Sequence, residues 1–282
     1  MRNTFFTTFI CVVGTYLVAC IDPLATVDPS DEQDDKIAGG RLARVNEFPS
    51  VVAFISKNYR GPNCTGTLIA PKTVLTAAHC VDLAEVASIL IATQSVDPFR
   101  SESIDYEVSD ILLHPDYDLA TVEGERYDLA LVYLKEPVVG VKPMKLNRSR
   151  SVAKTGTKII HAGFGTVLPE DAASAGALRT ITQKAKTCEL AEESMFGDVP
   201  GTEEIDEIPD SFYVCHGESQ DLGVRQGDSG GPGMIRNASR QLVQVSVHHA
   251  IAMPDGTGYY TYDVRVSKHI KWIDANIDTP AE

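Results

Sequence analysis

The stretch Gly227-Asp228-Ser229-Gly230-Gly231-Pro232 decides how this chain of 282 residues is interpreted. Its serine stands among glycines, which leave the hydroxyl uncovered and let backbone N–H groups approach a ligand closely. A serine hydroxyl is a weak nucleophile, so it needs a histidine as base and a carboxylate that orients this histidine. The stretch therefore predicts a nucleophilic serine whose two partners lie elsewhere in the sequence.

Both partners have candidates upstream of Ser229. His79 lies in Thr76-Ala77-Ala78-His79-Cys80, and Asp128 lies in Tyr127-Asp128-Leu129-Ala130-Leu131. Together with Gly227–Pro232, and in the order His, Asp, Ser, these motifs resemble the chymotrypsin/trypsin family of serine endopeptidases. The resemblance implies that Ser229 attacks a peptide carbonyl, that His79 transfers the proton and that Asp128 orients His79. It also implies an oxyanion hole formed by the backbone N–H groups of Gly227 and Ser229.

The rest of the chain is predicted to form an all-β fold. Short β-type runs, separated by Gly, Pro, Asn and Asp, cover residues 51–55, 89–91, 129–134, 158–161 and 242–247. Apolar residues at helical spacing predict one helix over 266–277. The resemblance implies a trypsin-like fold of two antiparallel six-stranded Greek-key barrels, at about 37–150 and 151–265, followed by that C-terminal helix. His79 and Asp128 would come from the first barrel and Ser229 from the second.

Residues 1–20 are typical of an export signal. A basic Arg2 precedes an apolar run over 5–18, which is short for a membrane-spanning helix. The run ends in Leu17-Val18-Ala19-Cys20, which resembles the lipobox of bacterial lipoproteins and implies a lipid on Cys20 that would anchor the chain to a membrane surface. An ordinary signal peptide, cut near Ala19 or Ala25, is the alternative. Both interpretations predict export.

An acidic segment over 21–36 follows, and its composition predicts a solvated propeptide or linker before the domain at 37–282. The net charge of the chain is −14; residues 1–36 hold six acidic and two basic side chains, so −10 remains on the domain. A domain with this charge is unsuited to nucleic acid, which we exclude as a partner.

Ile37-Ala38-Gly39-Gly40, directly after Lys36, resembles the start of mature members of the family. The resemblance implies a zymogen that an activating protease cuts after Lys36. The new α-ammonium of Ile37 would pair with Asp228 and order the oxyanion loop. The alternative is that Ile37 only begins the first strand. If Cys20 carries a lipid, the same cut would also detach the domain from the membrane.

The predicted domain holds an even number of cysteines, as is typical of exported proteins. They are Cys64, Cys80, Cys188 and Cys215. Sequence alone leaves three pairings open; the resemblance implies Cys64–Cys80 and Cys188–Cys215. Because no CxxC spacing occurs, we expect no metal site of these cysteines, and the proposed chemistry needs no cofactor.

The pocket that would select the substrate departs from that of trypsin. Arg225 stands where family members usually carry a pocket cysteine, so the pocket lacks that disulfide. Gly223 takes the floor position that is aspartate in trypsin-like members, and Gly258 takes the second floor position. A Lys or Arg side chain would be desolvated there without a partner, which predicts a specificity other than that of trypsin.

Ser246 is matched to a family serine that bonds near the triad and lines the substrate strand, and Val247 and His248 are matched to the pocket wall. The first prediction is a neutral pocket for large apolar side chains. Two alternatives stay open: His248 or His249 could favour an acidic side chain, and Asp255 or Asp263 could restore a preference for a basic one.

Two other functions compete with a protease that acts on protein or peptide substrates. A catalytically silent homologue, used as a binding or regulatory module, is favoured by the lost pocket disulfide and the altered wall. The intact His79, Asp128 and Ser229 weigh against it. An esterase of the α/β-hydrolase type would carry its triad in the order Ser, Asp, His, so the order in this chain excludes it.

Overall fold

The computed structural model describes residues 40–56, 62–82, 89–93, 104–167, 175–188, 212–217, 223–252 and 260–277. The predicted export signal with Cys20, the propeptide, the Lys36–Ile37 bond, Asp255 and Gly258 lie outside these residues. None of the helices in the described ranges has the length and apolar character needed to cross a membrane.

Six antiparallel strands form a closed barrel in the order β2-β3-β4-β7-β6-β5. They are β2 (Val51–Ser56), β3 (Pro62–Ala70), β4 (Thr73–Thr76), β5 (Ile89–Thr93), β6 (Ile104–Leu113) and β7 (Ala130–Leu134). Val52, Phe54, Leu68, Val74 and Val132 fill the interior and are almost fully buried. The short helix α1 (Val122–Glu125) lies between β6 and β7 and precedes Asp128.

The second sheet has eight strands and follows the order β1-β10-β9-β12-β13-β14-β11, with β8 attached in parallel to β13. The strands are β1 (Arg41–Leu42), β8 (Lys145–Leu146), β9 (Lys158–Gly163), β10 (Arg179–Lys184), β11 (Tyr213–His216), β12 (Pro232–Arg236), β13 (Leu242–Ala252) and β14 (Tyr260–Arg265). A bridge between Lys186, just after β10, and Cys215 in β11 curls the sheet on itself. The predicted all-β fold with two barrel-like halves is confirmed.

Two details of the strand assignment differ from the prediction. Both β1 and β8 lie in the stretch assigned to the first barrel, yet β1 pairs with β10 and β8 pairs with β13 of the second sheet. These two short strands raise the second sheet from six strands to eight. The chain therefore begins its described part on the second sheet, builds the first barrel and then returns.

The C-terminal helix, α2 (Val266–Asn276), follows β14 directly, as predicted. Its buried face includes Val266 and Ile273. Its last turn reaches the first barrel, where the Tyr133 hydroxyl donates to the Asn276 carbonyl at 2.7 Å. The disulfides Cys64–Cys80 and Cys188–Cys215 are both present, which confirms the implied pairing.

Candidate active site

Asp128 and His79 form the centre of the site. His79 lies in a 3-10 turn over Ala78–Cys80, after β4, and Asp128 lies just before β7. The backbone N–H of His79 donates to Oδ1 of Asp128 at 2.8 Å, and Nδ1 of the ring lies 2.6 Å from Oδ2. Because a carboxylate accepts, Nδ1 carries the proton and Nε2 is left as a base. The Asp128 side chain is fully buried, whereas that of His79 is 26% exposed.

The electrostatics of the pair suit a general base. Burial opposes the charge on His79, but the hydrogen bond and the negative charge of Asp128 outweigh it, so the pKa of His79 is raised above its ordinary value. Burial would also raise the pKa of Asp128, but hydrogen bonds from His249 and His79 reverse that effect and lower it. Asp128 thus stays ionised beside a histidine that accepts a proton readily.

His249 is a third member of this group that the sequence did not reveal. Its Nδ1 lies 2.6 Å from Oδ2 of Asp128, the same oxygen that His79 contacts. The register between β13 and β14 shifts between His248, opposite Asp263, and Ala250, opposite Tyr262. His249 therefore stands in a β-bulge, a device that redirects a side chain next to active sites.

The loop that carries Ser229 is fixed to the first barrel by Thr65 of β3. The Thr65 hydroxyl donates to the Gly227 carbonyl at 2.8 Å and accepts from the Phe164 N–H at 3.1 Å. The Thr65 N–H donates to the Ser229 carbonyl at 2.8 Å. The Cys80 sulfur lies 3.6 Å from the same carbonyl, so the Ser229 backbone lies against the residue that follows His79. Thr65 is a second positioning residue that the sequence did not single out.

Glycines let this loop close around Asp228. Gly227 has φ of +93°, a left-handed conformation that suits glycine. A Cβ on Gly163 would lie 2.2 Å from Oδ1 of Asp228, so no side chain fits there. The Asp228 carboxylate accepts from the backbone N–H groups of Gly165 and Arg225, both at 2.8 Å. Burial outweighs these two donors and raises the pKa of Asp228.

The residues predicted for the pocket wall lie deeper than expected. Ser246, Val247 and His248 are all at most 2% exposed. The Ser246 hydroxyl donates to Asp263 at 2.8 Å, so it is not the group that contacts Asp128; His249 takes that position. Strand pairing explains why these residues are buried. Ser246 of β13 pairs with Gly233 of β12, so this part of β13 lies inside the sheet.

At the predicted pocket floor, Gly223 is buried, and a Cβ on it would lie 4.0 Å from Nε2 of Gln183. Gln183 in turn contacts His216, with Oε1 lying 2.9 Å from Nδ1 of the ring. The floor is thus next to a neutral amide rather than a carboxylate.

A buried His–Asp pair and a glycine-framed serine loop, on a fold of two barrel-like halves, are typical of the trypsin family. The family model for trypsin matches residues 37–273, and the chain belongs to that family. Over 250 residues it is 26% identical to cationic trypsin-3 of Rattus norvegicus, an alignment that covers 88% of this chain and 92% of that protein. It is 28% identical over 251 residues to the vitellin-degrading protease of Bombyx mori, with 86% of each chain covered.

The fold is also found among solved structures. Neuropsin, a serine protease expressed in the limbic system of mouse brain, superposes with a TM-score of 0.67 at 22% identity, covering 85% of this chain and 99% of that chain. At this level of identity the likeness establishes the shared fold.

Proposed function

We propose that this chain is an active serine endopeptidase in which Ser229 is the nucleophile, His79 the general base and acid, and Asp128 the residue that orients His79. The observation that carries the proposal is the fully buried Asp128 at 2.6 Å from Nδ1 of His79, with the Ser229 backbone packed against Cys80. The described residues show no hydrogen bond between the Ser229 hydroxyl and the His79 ring, a bond that often tightens only when substrate binds.

The oxyanion hole is assigned to Gly227 and Ser229. Neither backbone N–H donates to another group within the described part of the chain, so both are free to bind a developing negative charge. The acyl-enzyme forms when the Ser229 oxygen bonds to the peptide carbon, the C–N bond breaks and His79 gives its proton to the leaving amine. Water then attacks the ester, again with His79 as base.

For specificity we infer a neutral pocket that accepts large apolar side chains. Asp263, the described carboxylate that could have favoured a basic substrate, is fully buried and bonded to Ser246 and His248. Its carboxylate is therefore bonded inside the sheet and does not offer a negative charge to a substrate side chain. A cleavage profile on a peptide library, measured on protein that begins at Ile37, tests this; dominant cleavage after Lys or Arg would contradict it.

For activation we infer that cleavage after Lys36 frees an Ile37 α-ammonium that binds Asp228. A buried carboxylate whose described partners are two N–H donors, and whose pKa is raised by burial, gains from a cation. The two disulfides are consistent with export. We further propose that a lipid on Cys20 holds the precursor at a membrane until this cut releases it. Active protein beginning at Ile37 that stays in the membrane pellet would contradict the release.

The test of the central proposal is covalent labelling with a fluorophosphonate probe. Protein cut at Ile37 should be labelled and should hydrolyse a casein substrate. Ser229→Ala should show neither property, and uncut protein should be labelled far more slowly. Absence of labelling in correctly cut, folded protein would favour the catalytically silent homologue instead.

A further inference from the structure

A second group of titratable side chains lies inside the second sheet, apart from His79 and Asp128. Four strands contribute one residue each: His161 from β9, His216 from β11, His248 from β13 and Asp263 from β14. All four side chains are at most 2% exposed. Trypsin-like catalysis uses none of them, so their burial needs another explanation.

The donor atoms converge on Asp263. Nδ1 of His248 lies 2.9 Å from its Oδ1, while Nε2 of His216 and Nδ1 of His161 lie 3.2 Å and 3.9 Å from its Oδ2. One nitrogen of each histidine and one carboxylate oxygen all lie within 4.8 Å of one another. Four ligands about 2.0–2.1 Å from a tetrahedral ion are roughly 3.3 Å apart. The separations of 2.9 Å and 3.2 Å are close to this value, and the wider ones would shorten when an ion binds.

Two of the nitrogens that face Asp263, Nδ1 of His161 and Nε2 of His216, have no hydrogen-bond partner among the residues that the structure describes. Unsatisfied polar atoms at full burial are costly and indicate a group that binds there. Since the Gln183 amide oxygen lies 2.9 Å from Nδ1 of His216, that nitrogen carries the proton and Nε2 presents its lone pair towards Asp263. Two electron-rich atoms at 3.2 Å attract a cation between them.

We propose that His161, His216, His248 and Asp263 bind one Zn²⁺ ion. Imidazole nitrogens with one carboxylate suit zinc, whereas calcium and magnesium prefer oxygen ligands throughout. The outer contacts are those of a metal site as well, because Gln183 orients His216 and the Ser246 hydroxyl donates to the Asp263 carboxylate. Because four buried protein ligands leave no coordination position open, the site would be structural rather than catalytic.

The ion would hold four strands of the second sheet together and would also reach the nucleophile loop. The His248 carbonyl accepts from the Gly230 N–H at 2.8 Å, and the His248 N–H donates to the Gly231 carbonyl at 2.9 Å. Fixing His248 therefore fixes the backbone directly after Ser229. The pocket lacks the disulfide that family members usually carry, and zinc would cross-link the chain through metal–ligand bonds instead.

The experiment measures metal content and stability on the full-length chain carrying Ser229→Ala, so that neither readout depends on catalysis. Protein stripped with a chelator is incubated with ZnCl₂, desalted and analysed by mass spectrometry of the metal. We expect about one zinc per chain and a rise in Tm of at least about 5 °C over the stripped protein. His161→Gln should hold less than about a tenth of an equivalent under the same conditions. His114→Gln, which alters a buried histidine outside the cluster, should retain the full amount.

Absence of zinc in folded Ser229→Ala protein after reconstitution would overturn the proposal, and so would full zinc retention in His161→Gln. If His161→Gln fails to fold, anomalous diffraction at the zinc edge on crystals of the Ser229→Ala protein decides the matter. A peak bonded to His161, His216, His248 and Asp263 supports the site, and its absence there refutes it.

Discussion

Replacing Thr65 by valine tests how the two halves hold the nucleophile loop. Valine keeps the shape of the side chain but removes a fully buried hydroxyl that donates to the Gly227 carbonyl and accepts from the Phe164 N–H. Each of the two groups left unsatisfied costs about 1–3 kcal/mol, so the free energy of unfolding should fall by about 2–6 kcal/mol. Thr65→Ser keeps both hydrogen bonds and loses one methyl group, worth roughly 1 kcal/mol.

The same change should slow catalysis. The Gly227 N–H is a proposed oxyanion donor, and the Gly227 carbonyl that Thr65 binds belongs to the next peptide of the same loop. Losing the hydrogen bond from Thr65 should therefore loosen the position of this N–H. Losing one oxyanion donor outright lowers kcat by about 10²–10³, so a loosened donor should cost at least about tenfold.

The assays are urea unfolding of the Ser229→Ala background and kcat/KM of protein cut at Ile37, well below the unfolding midpoint. If Thr65→Val matches Thr65→Ser in both stability and kcat/KM, the Thr65 hydroxyl does not position the loop.

Three further changes probe the site. His249→Ala removes one of the three hydrogen-bond donors to the buried Asp128, at 2.6 Å, and should lower the free energy of unfolding by about 1.5–3 kcal/mol. His249→Asn keeps an N–H donor and should recover part of this loss in urea unfolding. If alanine and asparagine behave alike, the hydrogen bond is not the cause. The raised pKa of His79 places the loss of its neutral, basic form above the ordinary value of 6.5. The profile of kcat/KM should therefore fall as pH drops through a midpoint above 6.5, and a midpoint below it would contradict the shift. Gly163→Ala puts a Cβ about 2.2 Å from Oδ1 of Asp228 and should cost about 1–3 kcal/mol by urea unfolding; unchanged stability would mean that the carboxylate moves freely.

The sequence predicts those features that depend on local patterns. The strand runs at 51–55 and 242–247 lie within observed strands, and the helix predicted at 266–277 spans Val266–Asn276. Both disulfides follow the pairing that the resemblance implied. Each of these predictions rests on a periodicity or on a short motif, and both are formed by residues that are close together in the sequence.

The sequence does not reveal features that depend on strand pairing. Ser246 is the serine that the motif suggests, but the bulge at His248–Ala250 aims His249 at Asp128 instead. A bulge follows from how β13 meets β14, and β13 alone carries no sign of it. The proposed zinc ligands share this property. They are spread from residue 161 to residue 263 without any recognisable metal-binding spacing, and only the sheet brings them together.

The contact between α2 and the first barrel has a consequence for biosynthesis. Each disulfide closes a loop within one half of the molecule, whereas the Tyr133–Asn276 hydrogen bond joins an early strand to a helix that the ribosome makes after every residue of the site. A nascent chain that already carries His79, Asp128 and Ser229 still lacks this connection. We expect the two halves to reach their final alignment only once α2 has emerged, which delays the hydrolytic centre until translation is nearly complete.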